Sequence, residues 1–459
     1  MEATQYLENA YIRHRILVER YAKGLFKELK PILVNMRKKL LTKIPEATTS
    51  FKILIVTQYF WPENFKINEL ALWLKGRGHE VTVLTGQPNY PEGYFYDNYY
   101  FNYPNYQDWQ GISIYRMPTI PRGRGKGVRL ILNYIFFPFI TSFLGYKRIR
   151  KKEFDLIFVC QLSPIFVALP AIRIKKKKRI PIAMWILDIW PDSVFAVSKF
   201  NGLLIKSILN VIVKYIYNNT DHLFISSRSF SKSILSYNIS INKITYFPNW
   251  SEHTIVLTDK NENLNDLPTL PIGFNILFAG NIGEAQDIET IINAAVLIKR
   301  EKNIKWIFVG DGRKRTFLQQ EIKKNQLEET VFWFGRFPAQ KMSYFYNKSS
   351  ALIVSLKKSP VFMLTVPARL QTCMSYKKTI ISLLSGEGND IVTKANCGIA
   401  IESGDFKTLA QVVVELSNLS QDELLKYGEN GYNYFMENFE KEKLLKNIEN
   451  ELEIIANTD

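Results

Sequence analysis

Histidine and cysteine are scarce in this chain of 459 residues, at four and three. His14, His79, His222 and His253 share no metal-ligand spacing, and no two aspartates bracket a single residue in the manner of a metal-diphosphate site. Metal-free chemistry is therefore expected. Cys160, Cys373 and Cys397 are odd in number, far apart and set in apolar or mixed surroundings. That argues against a disulfide framework and for buried thiols in a reducing compartment. The first thirty residues lack an apolar core followed by a small-residue cleavage site, so no secretory signal is read and a cytosolic location is expected.

What is present is a globular composition, 46% hydrophobic and 22% charged, with a net charge of +17 that is either a plain solvated surface or the mark of an anionic partner: nucleic acid, anionic lipid or a phosphorylated substrate. The length exceeds one ordinary hydrophobic core, so two domains are expected. The chain also starts a nucleotide-binding half-fold twice. Ile53-Leu54-Ile55-Val56 leads through Tyr59 and Pro62 into a helix, then a strand at Glu80 to Thr85. Ile276-Leu277-Phe278-Ala279 ends in Gly280-Asn281-Ile282-Gly283, opens a helix near Asp287 and is followed by Ile304 to Val309 and Gly310-Asp311-Gly312. Strand, small-residue turn, helix, strand is the βαβ unit, whose helix N-terminus offers free N–H groups to a phosphate.

Four segments are predicted. Residues 1–50 read as a basic helical extension, with about ten Lys and Arg against five Glu and an interruption at Pro31. Residues 51–258 form a doubly wound domain with strands near 52–57, 80–85, 112–117, 155–160, 181–189 and 222–226. Residues 259–272 are the linker, and 273–459 the second domain. Its strands fall near 274–280, 304–309, 331–334, 351–356, 379–384 and 398–402, before charged amphipathic helices from Asp405 and from Gln421 to Ile455. The run Val128 to Gly145 is barely long enough to span a bilayer and carries cations at both ends, so a helix lying on the membrane or packed on the sheet is expected. With Leu203 to Tyr217, Lys206, Lys214, Arg173 and Lys175 to Arg179, it predicts an anionic-membrane face on the first domain. Nucleic acid is not the expected partner, because the cationic clusters lack interleaved base-stacking aromatics.

Longer motifs are more specific than any glycine count. They are Pro62-Glu63, Asn68-Glu69-Leu70, Gly78 to Thr85 with Gln87 to Gly93, Leu187 to Ser193, Phe247-Pro248-Asn249-Trp250, Ala279 to Gln286 and Val309 to Gly312. Together they resemble the WbuB-type family-four (group 1) glycosyltransferases of bacterial surface polysaccharide synthesis, from about Lys52 to Glu449. The resemblance implies a GT-B fold, two Rossmann-like α/β domains facing a cleft. It also implies retaining transfer of a sugar, an N-acetylated amino sugar among the candidates, from a nucleotide-diphosphate donor to a lipid-linked or saccharide acceptor. O-antigen, capsule or exopolysaccharide synthesis is the implied setting, on the inner face of the cytoplasmic membrane. The sugar nucleotide is a co-substrate, with no cofactor or metal.

The residues take roles within that frame. Gly280 and Gly283 let backbone approach a diphosphate, with Asn281, Gln286 and Gly310 beside them. Val366 to Gln371 matches the family's Pro-Ser-Lys stretch, which puts Arg369 where a guanidinium can neutralise the leaving diphosphate, with Lys357 and Arg313 as further cations. Gly386-Glu387-Gly388 is expected to meet the donor sugar. Asp188, at a strand end, either faces the acceptor and the reacting sugar or merely caps Asp192 and Ser193. Tyr59, Glu63 and Asn89 are expected on the acceptor side, and His79 in a structural turn. The glutamate pair of many family members is replaced by Met363 and Gln371; Gln371 keeps hydrogen bonding to a ribose but supplies no charge. Tyr376 and Lys378 replace a small residue and a proline in the next turn. Two other classes stay open on the sequence: a UDP-sugar 2-epimerase of the same fold and a non-catalytic sugar-nucleotide-binding scaffold.

Overall fold

The computed structural model describes residues 50–457 except 101–102, 124, 126, 198–201 and 252–266. The predicted N-terminal extension, apart from Ser50, and most of the predicted linker lie outside the described residues. Two sheets organise the rest. The first has eight strands: β1 (Lys52–Thr57), β2 (Glu80–Gly86), β3 (Tyr106–Trp109), β4 (Ile112–Met117), β5 (Leu156–Gln161), β6 (Ile182–Ile186), β7 (His222–Ile225) and β8 (Ile244–Tyr246). Their order is β3-β4-β2-β1-β5-β6-β7-β8, parallel except for the β3–β4 pair. The second has six parallel strands, β9 (Phe274–Ala279), β10 (Ile304–Val309), β11 (Val331–Trp333), β12 (Ala351–Ser355), β13 (Thr379–Leu384) and β14 (Gly398–Glu402), in the order β11-β10-β9-β12-β13-β14.

The central strands are continuous apolar runs because helices cover both faces of each sheet. Leu54, Val56, Ile157, Val159 and Met184 enter one core of the first domain, while Ile53, Ile55, Phe158, Ala183 and Trp185 enter the core on its other face. In both domains the functional turns leave the C-terminal ends of parallel strands, the edge at which open α/β sheets bind ligands. The predicted strand at 181–189 is shorter, because the main chain leaves the ladder after Ile186 to form the turn carrying Asp188.

The C-terminal helices depart from expectation. The predicted C-terminal helical stretch is two helices, Gln421–Asn438 and Lys441–Ala456, separated at Phe439 and Glu440. The second, expected with the second domain, packs on the first. Leu444, Leu445, Ile448, Leu452 and Ile455 join the core built by Phe51, Leu70, Leu74 and Phe158. Glu449 accepts from Arg77 Nε (3.0 Å) and Trp73 Nε1 (3.2 Å) and bonds His79 Nε2 (3.1 Å). His79 therefore fastens the returning helix. The apolar run at 128–145 forms the middle of a helix, Gly127–Ile149, with a π turn at Thr141–Gly145; it is long and apolar enough to span a membrane, with 22% of its most apolar window buried. Its inner face, Asn133 and Phe137, is wholly buried in the first domain, while Val128, Ile131, Ile135 and Phe139 are exposed.

Candidate functional site

The second domain's first turn is shaped by close approach of backbone to backbone. Gly280 N–H donates to Val309 O (2.8 Å) and Ile282 N–H to Asp311 O (2.9 Å), which draws the turn after β9 against the turn after β10. A Cβ at Gly310 would lie 1.8 Å from Gly280 O, and Gly310 has φ 141°, so only glycine fits there. Gly280 and Asn281 are exposed, and Gly283 is buried beneath the Asn281 side chain. The helix that follows, Ile288–Leu297, receives no side-chain cap from Asp287, whose carboxylate is turned to Ser403 Oγ (3.0 Å) and Gly404 N–H (2.9 Å).

Arg369 enters this turn from the short helix Ala368–Met374. Its Nη2 lies 2.8 Å from where a Gly280 Cβ would be, its Nη1 donates to Gln286 Oε1 (3.0 Å), and the guanidinium lies 4.5 Å from the centroid of the Phe278 ring. Burial lowers its pKa from the ordinary 12.5. Among the described residues no carboxylate lies within ion-pair reach of it. A desolvated cation without an anion is costly, so this position is electrostatically prepared for one. Gly280, Gln286, Gly310 and Arg369 thus converge.

The remaining donor candidates divide. Lys357 pairs with Glu289 (3.7 Å), and Arg313 stands at the exposed surface. Lys314, which the sequence reading did not single out, holds Glu289 (3.0 Å) and Glu284 (3.5 Å) beside the same turn. Its signal was only its position three residues after Gly310-Asp311. Gln371, expected to meet a ribose, is instead 1% exposed, with its carbonyl oxygen unpartnered among the described residues. The helix turns Arg369 toward Gly280 and turns Gln371, two positions on, into the core.

Glu387 requires a larger correction. Its carboxylate, expected to meet the donor sugar, is taken by the first domain. Oε1 accepts from Arg228 N–H (2.8 Å), Oε2 accepts from Ser229 N–H (2.6 Å), and Ser227 Oγ bonds Oε2. Gly386, at φ 71°, sits so close to Met363 that a Cβ would be 2.2 Å from its carbonyl oxygen, and Gly388 is buried in the helix's first turn. The segment therefore joins the two domains.

Asp188 lies just beyond β6, half-buried. Its Oδ2 accepts from Ser193 Oγ (3.0 Å) and Trp190 Nε1 (3.2 Å); burial nonetheless raises its pKa above 3.8. It accepts from the Ser193 hydroxyl, while the Ser193 N–H donates to Ile189 O (3.0 Å).

The acceptor-side candidates form an internally bonded frame. Glu63, 1% exposed, accepts from the N–H groups of Asn89 (2.8 Å), Tyr90 (2.7 Å) and Phe60 (3.2 Å), and burial still pushes its pKa to about 7. Asn89 donates to Gln87 O (2.9 Å) and accepts from Arg122 N–H (3.0 Å). Neither side chain is free to line a site. Tyr59 is buried too, stacked on Phe65 at 5.4 Å and tilted against Tyr90 at 5.7 Å. Tyr90, outside the sequence candidates, is the exposed ring of that group.

Comparison with known proteins places this geometry. Residues 65–250 match the family model for a glycosyl transferase 4-like domain, and residues 264–434 match that for glycosyl transferases group 1. WcaI of Escherichia coli (strain K12), named as a colanic acid biosynthesis glycosyl transferase, is 25% identical over 74% of this chain and 83% of its own length. The glycosyltransferase WbjE of Pseudomonas aeruginosa is 25% identical over 52% of this chain and 61% of its own. A glycosyltransferase from Rickettsia africae superposes with a TM-score of 0.65 at 15% identity, covering 90% of this chain and all of that one. Anabaena HepE in complex with UDP gives 0.61 at 12%, covering 88% and 99%. Matched in both halves and sharing the two-sheet GT-B architecture, the chain belongs to the group 1 glycosyltransferases.

Proposed function

We propose that the chain transfers a sugar from a nucleotide-diphosphate donor, bound at Gly280 and Arg369, to a lipid-linked saccharide during bacterial surface polysaccharide synthesis. The observation that carries the donor site is the half-buried Arg369, unpaired with any carboxylate among the described residues, beside a turn where glycine alone permits the approach. A diphosphate supplies the missing anion, and the guanidinium stabilises the charge that grows as the sugar departs. The polysaccharide setting follows the role that the name of WcaI carries, and UDP in the HepE complex makes a uridine nucleotide the first donor to try.

Transfer in this reading retains configuration and uses no metal. A phosphate oxygen of the donor takes the acceptor hydroxyl proton on the face from which the nucleoside diphosphate leaves. The acceptor oxygen bonds the anomeric carbon as the carbon–phosphate-oxygen bond breaks, and Asp188 stabilises positive charge on the sugar. The acceptor reaches the site along the first domain from an anionic membrane surface. Leu203, Leu204 and Val211 of the Leu203–Asn218 helix are 84%, 74% and 68% exposed, and Val128 and Phe139 of the long helix 72% and 61%. The cationic end of the Ala168–Lys178 helix lies between them, with Arg173 over the Phe143 ring. Exposed apolar side chains and cations together suit the interface of an anionic leaflet, which supports reading the protein as peripheral to the inner face of the cytoplasmic membrane.

Titration calorimetry with UDP- and GDP-sugars tests the donor site. One of them is expected to bind, and Arg369→Ala to weaken it by roughly thirtyfold or more, with Arg369→Lys in between because a point charge does not match two phosphate oxygens. Undiminished binding by Arg369→Ala removes the donor assignment. Absence of transfer to polyprenyl-diphosphate-linked saccharides from any donor removes the acceptor assignment.

A further inference from the structure

We infer that the Gly127–Ile149 helix positions the acceptor turn through Asn133, so that docking on an anionic bilayer sets the geometry in which acceptor binds. This rests on the membrane reading above and adds a physical link between the docking surface and the site.

The helix has two faces with different work. Val128, Ile131, Leu132, Ile135 and Phe139 recur at spacings of three and four and are exposed. Asn133 and Phe137 lie on the opposite stripe and are fully buried. Asn133 is a polar tether to the end of β1: its Oδ1 accepts from Gln58 Nε2 (2.8 Å) and from the Tyr59 hydroxyl (3.5 Å), while its Nδ2 donates to Ile120 O (2.5 Å). One turn on, Phe137 presses on the end of β2, where a Cβ on Gly86 would lie 3.3 Å from its ring. Gly86 N–H donates to Gln58 O (3.3 Å), so the helix grips two neighbouring strand ends that are already bonded to each other.

From Tyr59 the contact continues through the stacked Phe65 to Tyr90, the exposed ring at this edge. A shift of the helix is therefore delivered to the surface an acceptor would touch. The helix is also built to shift. Gly123, Gly125 and Gly127 at its entry all have positive φ, 61°, 70° and 68°, Pro138 interrupts its hydrogen-bond ladder, and a π turn follows. Its seat is incompletely satisfied, because Gln58 Oε1 is buried without a hydrogen-bond partner among the described residues. A small change of seating, or a hydroxyl of the acceptor, supplies the donor that this oxygen lacks.

Hydrogen exchange of the full chain, with and without vesicles of phosphatidylcholine and phosphatidylglycerol, tests the link. In the unsubstituted protein, vesicles are expected to slow exchange at residues 128–145 and, by about tenfold, at residues 57–61 and 120, which touch no lipid. Asn133→Ala is expected to sediment with vesicles and keep the protection at 128–145 while losing it at 57–61. Gln58→Ala is expected to behave likewise, with the double variant no worse than either single one, the signature of a shared contact. Protection confined to 128–145 in the unsubstituted protein overturns the inference even where Asn133→Ala fails to fold. Unchanged protection at 57–61 in a folded Asn133→Ala overturns it as well. Failure of the unsubstituted protein to bind vesicles overturns the membrane reading itself, and this inference with it.

Discussion

Glu63 and Arg116 place opposite charges in the interior around the turn that follows β1. Arg116, with no exposed surface, donates to Gln107 Oε1 (2.6 Å), Gly86 O (3.1 Å) and Trp61 O (2.5 Å), so it fastens the chain on either side of Glu63. The Glu63 pKa, raised from 4.5 to about 7 chiefly by burial, lies above its unfolded value. Its stabilising contribution is therefore complete below about pH 4.5 and lost as pH rises through about 7, on the order of 3 kcal/mol in full. Glu63→Gln removes that titration. The stability of the variant relative to the parent is expected to increase between pH 5 and pH 8, and urea denaturation at both values measures it. At this scale the sequence was legible for residue type but not for direction. Arg369 and Gln371 stand two positions apart in one short helix, and only its packing decides that one faces Gly280 and the other the core. Likewise Glu63 and Asn89 sit in a specific motif, but bond the loops around them.

Among elements, the buried parallel strands were the most readable, because covering both faces forces long apolar runs such as Ile276-Leu277-Phe278-Ala279. β3, with the sequence Tyr106-Gln107-Asp108-Trp109, is an antiparallel edge strand with two exposed positions, and β8 spans only three residues; neither writes a comparable pattern. The Lys441–Ala456 helix was readable as amphipathic, whereas the domain receiving its apolar face is a long-range fact that no local period encodes. Its anchor carries a prediction. Burial alone would raise the Glu449 pKa, but hydrogen bonds from His79 and Arg77 and the Arg77 charge outweigh it and lower the value. Glu449→Ala leaves Arg77 and His79 without that anion, and is expected to cost about 3 kcal/mol of stability near neutral pH. The gap narrows as acid protonates the parent's carboxylate, since a depressed folded pKa contributes stability only above it. Thermal melting across pH 3 to 7 reads both effects.

For the whole molecule, the Glu387 contact ties the turn after β13 of the second domain to the first. A carboxylate accepting from two backbone N–H groups and a hydroxyl across the seam holds the two domains together. Hydrogen bonds to a charged group contribute about 1.5–3 kcal/mol each before competition from water, so a net shift of about 2 kcal/mol, roughly thirtyfold, toward the open form is expected for Glu387→Ala. Small-angle scattering of the donor-free protein should then show a larger radius of gyration, and an unchanged radius removes the latch. The two sheets could be read from the duplicated βαβ start. The latch could not, because its partners are 158–160 residues apart and belong to different motifs.

Ser251 pairs with Glu440 where the last helix leaves the second domain for the first. The chain thus begins the first domain, builds the second and only then supplies the helix that covers Phe51, Leu70 and Phe158. During synthesis the first domain is completed after the second: an apolar face of it waits, uncovered, until residues 441–456 have emerged.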